Sequence, residues 1–164
     1  MQTTTLDTYG EREKSISTIL AGRARLTPVL HVENIDHAEP LLMALENAGI
    51  AAIEVTLRTR DALEVIERMS RIAKSATIGA GTLTRPEQFA EVRDAGARFA
   101  VSPGLTPALA DAAHASGLPY VPGVATSSET LFARELGFQE LKFFPADLMG
   151  GVRAAAYAAA LSRR

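Results

Sequence analysis

The chain has 164 residues, 47% of them hydrophobic, and a net charge of -2 with the signs interspersed. That length and composition fit one globular domain, here residues 1–164, with a core of useful size. The absence of a basic stripe, an aromatic content of 5% and the absence of cysteine argue against nucleic-acid binding and exclude disulfides, thiolate metal sites and cysteine nucleophiles.

The first residues, MQTTTLDTYGEREKS, are polar and mixed in charge, without an apolar signal core, and no run approaches membrane-spanning length. A cytoplasmic location is the expectation. Residues 11–22 read as a lead-in helix. Residues 27–32 (TPVLHV) read as a first strand, after which Asp36 caps a helix to about Asn47, closed by Gly49. Residues 50–56 (IAAIEVT) form a second strand. The helix over 60–74 follows, with Leu63, Val65, Ile66, Met69 and Ile72 as its apolar stripe. Residues 77–81 (TIGAG) are the third strand, and Thr84 and Pro86 open a helix to about Asp94. Residues 99–102 (FAVS) are the fourth strand, followed by a helix from Pro107 to about Ser116. Residues 120–121 are a short fifth strand, and Ser127 or Ser128 caps a helix to Leu136. Residues 140–144 are the sixth strand, and the alanine-rich stretch 151–161 is the last helix.

Six βα units in alternation imply a parallel sheet with right-handed crossovers. An open doubly wound sheet and a closed (β/α)₈ barrel both meet that description. The barrel ordinarily needs eight units and about 250 residues, so this chain is two units short of one.

In either architecture sites gather at the carboxyl ends of the strands. The sixth strand carries the most unusual residue. Of three lysines, Lys14 and Lys74 sit among charged neighbours, whereas Lys142 is flanked by Leu141, Phe143 and Phe144. Burying that charge is expensive unless it is paired or used. By strand alternation Lys142 shares a face with Phe144 and points inward if Leu141 and Phe143 meet the outer helices. Desolvation favours the neutral amine, which attacks a ketone to form an imine. On the second strand Glu54 and Thr56 share one face, and Glu54 is a suitable acid/base partner. A buried salt bridge to an arginine is an equal alternative for Glu54. Arg58, just past that strand, has the fork to grip a carboxylate, although an exposed arginine at a helix start is the commoner case. Gly79 and Gly81 let something approach the third strand closely, and Thr82 offers a hydroxyl at its mouth. The SPG (102–104) and PG (122–123) stretches read as turn punctuation. His31, His37 and His114 have no metal-ligand spacing, and His31 reads as a core histidine more readily than as a site residue. No nucleophile elbow, phosphate-binding loop or EF-hand sequence is present.

Taken in order, EVTLRT (54–59), IGAGT (78–82), SPGL (102–105), PGVAT (122–126) and KFFPA (142–146) resemble the bacterial 2-keto-3-deoxy-6-phosphogluconate (KDPG) / 4-hydroxy-2-oxoglutarate (KHG) aldolases, from about Thr27 to Val152. The resemblance implies a (β/α)₈ barrel, usually a homotrimer. It also implies a class I aldolase that splits a 2-keto-4-hydroxy acid into pyruvate and an aldehyde without metal or other cofactor. Lys142 would then be the Schiff-base lysine and Glu54 the general acid/base. Arg58 and Thr82 would hold the pyruvyl end, and Pro103 and Phe144 would shape the pocket. The family continues after its GG pair through two more strands whose turns hold the substrate phosphate, whereas this sequence runs GGVRAAAYAAALSRR. The phosphate site and the closure of the barrel are therefore expected to be lacking, with weight shifting towards a hydroxyoxoglutarate-type substrate. A fold kept without turnover, as a shortened homologue or assembly module, is the alternative, and decarboxylation of oxaloacetate is a third reading.

Overall fold

The computed structural model describes residues 16–17 and 26–161. Among the described residues seven short strands occur, separated by helices except between the fifth and sixth: β1 (Val29–Leu30), β2 (Ala52–Thr56), β3 (Thr77–Gly81), β4 (Ala100–Val101), β5 (Tyr120–Val121), β6 (Gly123–Val124) and β7 (Lys142–Phe143). The helices are α1 (Ala38–Asn47), α2 (Ala62–Ile72), α3 (Gln88–Asp94), α4 (Pro107–Ser116), α5 (Ser127–Glu135) and α6 (Gly151–Leu161). All pairings are parallel, in the order β1-β2-β3-β4-β5, with β6 paired to β7. β5 and β6 are the expected fifth strand, longer than its apolar letters suggested and interrupted at Pro122, which has no N–H to give a ladder. The Pro122 carbonyl still accepts from Lys142 N at 2.9 Å, so the strand continues in function.

Alternation sorts each strand into two faces. Ile53, Val55, Ile78, Ala80, Ala100 and Tyr120 join the buried stripes of the helices, such as Val65, Ile66 and Met69 of α2, in one outer core. The inner face carries a smaller cluster, Ala52, Phe99 and Val101, against which Ile16 and Val121 pack. The inner face is strongly curved. Glu54 on β2 and Lys142 on β7 touch, yet four strand spacings separate β2 from β7, about 19 Å in a flat sheet. The sheet therefore curls towards a barrel rather than lying open.

The helix starts differ from the expected caps in three places. Asn34, not Asp36, receives the first N–H: its Oδ1 accepts from Asp36 N at 2.9 Å and opens a 3₁₀ turn (Ile35–His37) ahead of α1. α3 begins at Gln88, whose side-chain oxygen folds back to accept from Thr84 N and Arg85 N, so Thr84 donates its N–H to that side chain and is not the cap. At α5 the cap is Thr126, one residue before the expected serines. Its Oγ1 accepts from Glu129 N while Glu129 accepts from Thr126 N, a reciprocal capping box. The backbone N–H of Ala125, with the bonds to Thr126, lowers the Glu129 carboxyl below its ordinary value, outweighing the rise that burial causes. The lead-in helix over 11–22 lies outside the described residues except for Ile16 and Ser17, which are helical and donate their N–H groups to the Glu140 carboxylate at 2.7 and 3.0 Å.

Candidate active site

Glu54 occupies the middle of β2, in register with Val29 on one side and Gly79 on the other. Its side chain turns to the inner face, where it is only 6% exposed. Space for it comes from Gly81: a Cβ there would fall on the Glu54 carboxylate. Gly79 does the same for Phe99, whose ring fills the position a side chain would need. The expected close approach at the third strand is therefore made by two named side chains, and it explains why glycine stands at alternate positions there.

Lys142 reaches Glu54 across the inner face. Its Nζ donates to Oε1 at 3.2 Å and lies 3.4 Å from Oε2. Among the described residues Lys142 is the cation that pairs with Glu54, so of the two readings open for Glu54 the arginine bridge is not the one formed. An isolated buried carboxylate would cost several kcal/mol, and the amine offsets that cost. The lysine side chain keeps 26% exposure, so a small molecule entering from the open side meets the amine directly. The Phe144 ring lies 5.1 Å from Nζ, within cation–π range, and forms the apolar floor under it.

Arg58 and Thr82 stand at the carboxyl ends of β2 and β3, which are held level by Leu57 N donating to Gly81 O at 2.8 Å. Arg58 Nε donates to Thr82 Oγ1 at 3.3 Å. Among the described residues neither Nη group of Arg58 has a partner, which leaves its fork available to a planar anion. Thr82 has φ +65°, a conformation costing a β-branched residue about 1–3 kcal/mol. That backbone twist turns the chain sharply at the strand mouth and holds the hydroxyl beside Arg58.

Pro103 lies at the end of β4, where its carbonyl approaches Gly123 so closely that no Cβ fits. Gly123 is in register with Lys142. Beneath this turn, Ser102 Oγ donates to Gly104 O at 2.6 Å and meets the Tyr120 hydroxyl. Ser102 is fully buried and Tyr120 nearly so. Burial pushes the Tyr120 phenol up to about 12, the hydrogen bond to Ser102 opposing it. In the sequence SPG and PG read as turn punctuation, with Pro103 placed at the pocket by resemblance; the Ser102–Tyr120 contact was not foreseen.

The histidines fall outside this constellation. His31 is half exposed and faces Glu33 at 3.5 Å, so it is not the core histidine expected from its strand. The physical reason is its place at the end of edge strand β1, where no further strand covers it. His114 stacks on Phe138 and bonds Leu136 O through Nε2 at 3.2 Å. Among the described residues no group of three His, Cys, Asp or Glu is placed to hold a metal, and no helix is long and apolar enough to cross a membrane.

The arrangement combines a reachable amine, a buried carboxylate in contact with it, an aromatic floor and, at the mouth of the strand that carries the carboxylate, a guanidinium fork. Those are the parts needed to condense an amine with a keto acid and move protons beside it. Residues 16–161 match the family model for KDPG and KHG aldolase. A KHG/KDPG aldolase of Escherichia coli is 44% identical over 129 residues, which are 79% of this chain and 61% of that protein; the chain thus spans about three fifths of the curated relatives it matches. The crystal structure of a Zymomonas mobilis 2-keto-3-deoxy-6-phosphogluconate aldolase superposes with a TM-score of 0.85 at 37% identity, over 90% of this chain and 71% of that one. A KDPG aldolase from Legionella pneumophila, with pyruvate captured as a covalent carbinolamine, gives a TM-score of 0.82 at 38% identity, over 88% of this chain and 69% of that one.

Proposed function

Because the chain belongs to the KDPG and KHG aldolase family, we propose that it cleaves a 2-keto-4-hydroxy acid into pyruvate and an aldehyde through an imine on Lys142. The observation that carries this reading is the contact of the Lys142 amine with the buried Glu54 carboxylate at 3.2 Å. With a proton passed to Glu54, the Nζ lone pair attacks the C2 ketone and a carbinolamine forms. Loss of water, its oxygen protonated by Glu54, gives the protonated imine. Glu54 then takes the proton of the C4 hydroxyl as the C3–C4 bond breaks. The bonding electrons flow into the imine, leaving an enamine on Lys142 and releasing the aldehyde. Return of the proton to C3 and addition of water free pyruvate and restore the amine. The Arg58 fork and Thr82 hydroxyl hold the substrate carboxylate, and Phe144 and Pro103 exclude water from one side of the reacting carbons. The carbinolamine of the Legionella relative is the kind of species this sequence of steps passes through.

Incubation with pyruvate and borohydride tests the reading. We expect one pyruvyl adduct on Lys142 by mass spectrometry and none in Lys142→Met. Folded protein without an adduct, or labelling that persists in the variant, would sink it. We extend the reading to a single cytoplasmic domain assembled as a homotrimer, following the family resemblance; light scattering of the purified chain decides the assembly.

A further inference from the structure

We propose that the hydroxyls of Tyr120 and Ser102 are positioning groups that brace the Pro103 turn against the strand pair carrying Lys142, and so set the rate at which the amine meets a keto acid. The inference rests on the imine reading of Lys142.

Ser102 carries one hydroxyl proton, and Gly104 O accepts it at 2.6 Å. The Tyr120 hydroxyl on the other side of Ser102 Oγ must then be the donor, and its phenol stays protonated throughout the working range. The relay runs Tyr120 to Ser102 to Gly104, and it closes the turn that holds Pro103. Tyr120 is a firm anchor because its ring is wedged edge-on between Phe89 and Phe138, at centroid distances of 5.1 and 5.3 Å. Both hydroxyls sit on the helix side of the sheet, so neither reaches the inner face where substrate enters. Their influence passes through the backbone. Ser102 N donates to Val121 O, and Lys142 N donates to Pro122 O at 2.9 Å. Between these two bonds the Pro103 carbonyl rests on Gly123, the register partner of Lys142. A turn released from Ser102 would shift Pro103 relative to the amine. Displacements of about 1 Å at a reacting centre cost on the order of a hundredfold in rate, and partial release of one turn on the order of tenfold.

The test uses the full chain and the borohydride-trapped pyruvate adduct, timed at several pyruvate concentrations, for Tyr120→Phe, Ser102→Ala and the double variant. Circular dichroism and thermal melting establish that each is folded; Tyr120→Phe keeps the ring, and Ser102→Ala alone suffices should the ring variant fail to fold. We expect the maximal labelling rate to fall about tenfold in each single variant, with the half-saturating pyruvate concentration unchanged, because Arg58 and Thr82 are untouched. The double variant should be no slower than either single one, since both break the same relay. Equal labelling rates in the variants and the unaltered chain would overturn the brace while leaving Lys142 in place. So would a double variant slowed by the product of the two losses, or a change in half-saturation alone. A failure of the unaltered chain to label would overturn the role of Lys142 itself, and the brace with it.

Discussion

Gly81 decides whether Glu54 has a place to stand. The carboxylate occupies the volume a side chain at Gly81 would take, next to the amine it partners. Gly81→Ala must therefore push Glu54 aside or distort β3. We expect a loss of about 1–3 kcal/mol in stability, typical of overpacking, together with loss of the pyruvate adduct. Denaturant unfolding and trapping measure the two effects separately. A variant of unchanged stability that labels at the normal rate would show that the close packing around Glu54 does not matter. Residue-level strain also appears at Thr82, whose positive φ is kept despite a branched side chain. Such strain persists when surrounding contacts over-determine it, here the Leu57–Gly81 bond and the contact with Arg58.

Between elements, one carboxylate joins the end of α1 to the loop before β3. Glu46 accepts from the backbone N–H groups of Lys74, Ser75 and Ala76 at 2.8, 2.7 and 2.9 Å, and from the Ser75 hydroxyl at 3.2 Å. Burial raises its carboxyl, but these four bonds outweigh that and hold it below its ordinary value of 4.5. A group whose folded value is depressed stabilises the fold above the unfolded value, and the contribution fades as pH drops through the folded one. Glu46→Gln should thus lower the melting temperature most near neutrality. The gap to the unaltered chain should narrow below pH 4.5. A gap that is flat from neutral to acid pH would mean the charge contributes nothing. At neutral pH a loss of about 1–2 kcal/mol fits the removal of charge-assisted hydrogen bonds at a half-exposed site.

Across the molecule, protection is unevenly spread. Every residue of β2 is buried, and four of five in β3, whereas α6 buries none and leaves Val152 and Tyr157 exposed. Opening free energies follow buried contacts. Amide exchange should be slowest in β2 and β3 and fastest in α6, with β1 and β7, each bonded on one side among the described residues, in between. An α6 as protected as β3 would mean that the exposed helix is held by something other than its packing on this chain.

The alternation of apolar runs and amphipathic stretches was enough to place the strands and helices, because their periods of two and 3.6 are written in the order of side chains. The same alternation put Glu54 and Thr56 on one face and turned Lys142 inward if Leu141 and Phe143 met the outer helices, and the match of motifs named the chemistry. Helix starts were less readable: Asn34, Gln88 and Thr126 win their roles through side-chain geometry one or two residues from the apparent signal. The curl of the sheet followed only from the match of motifs, the sequence left Lys142 and an arginine both open as the partner of Glu54, and the Tyr120–Ser102 relay was not readable at all. Each joins residues 18 to 88 positions apart. Separations of that kind are set by how twisted strands close on one another, and no local pattern records them.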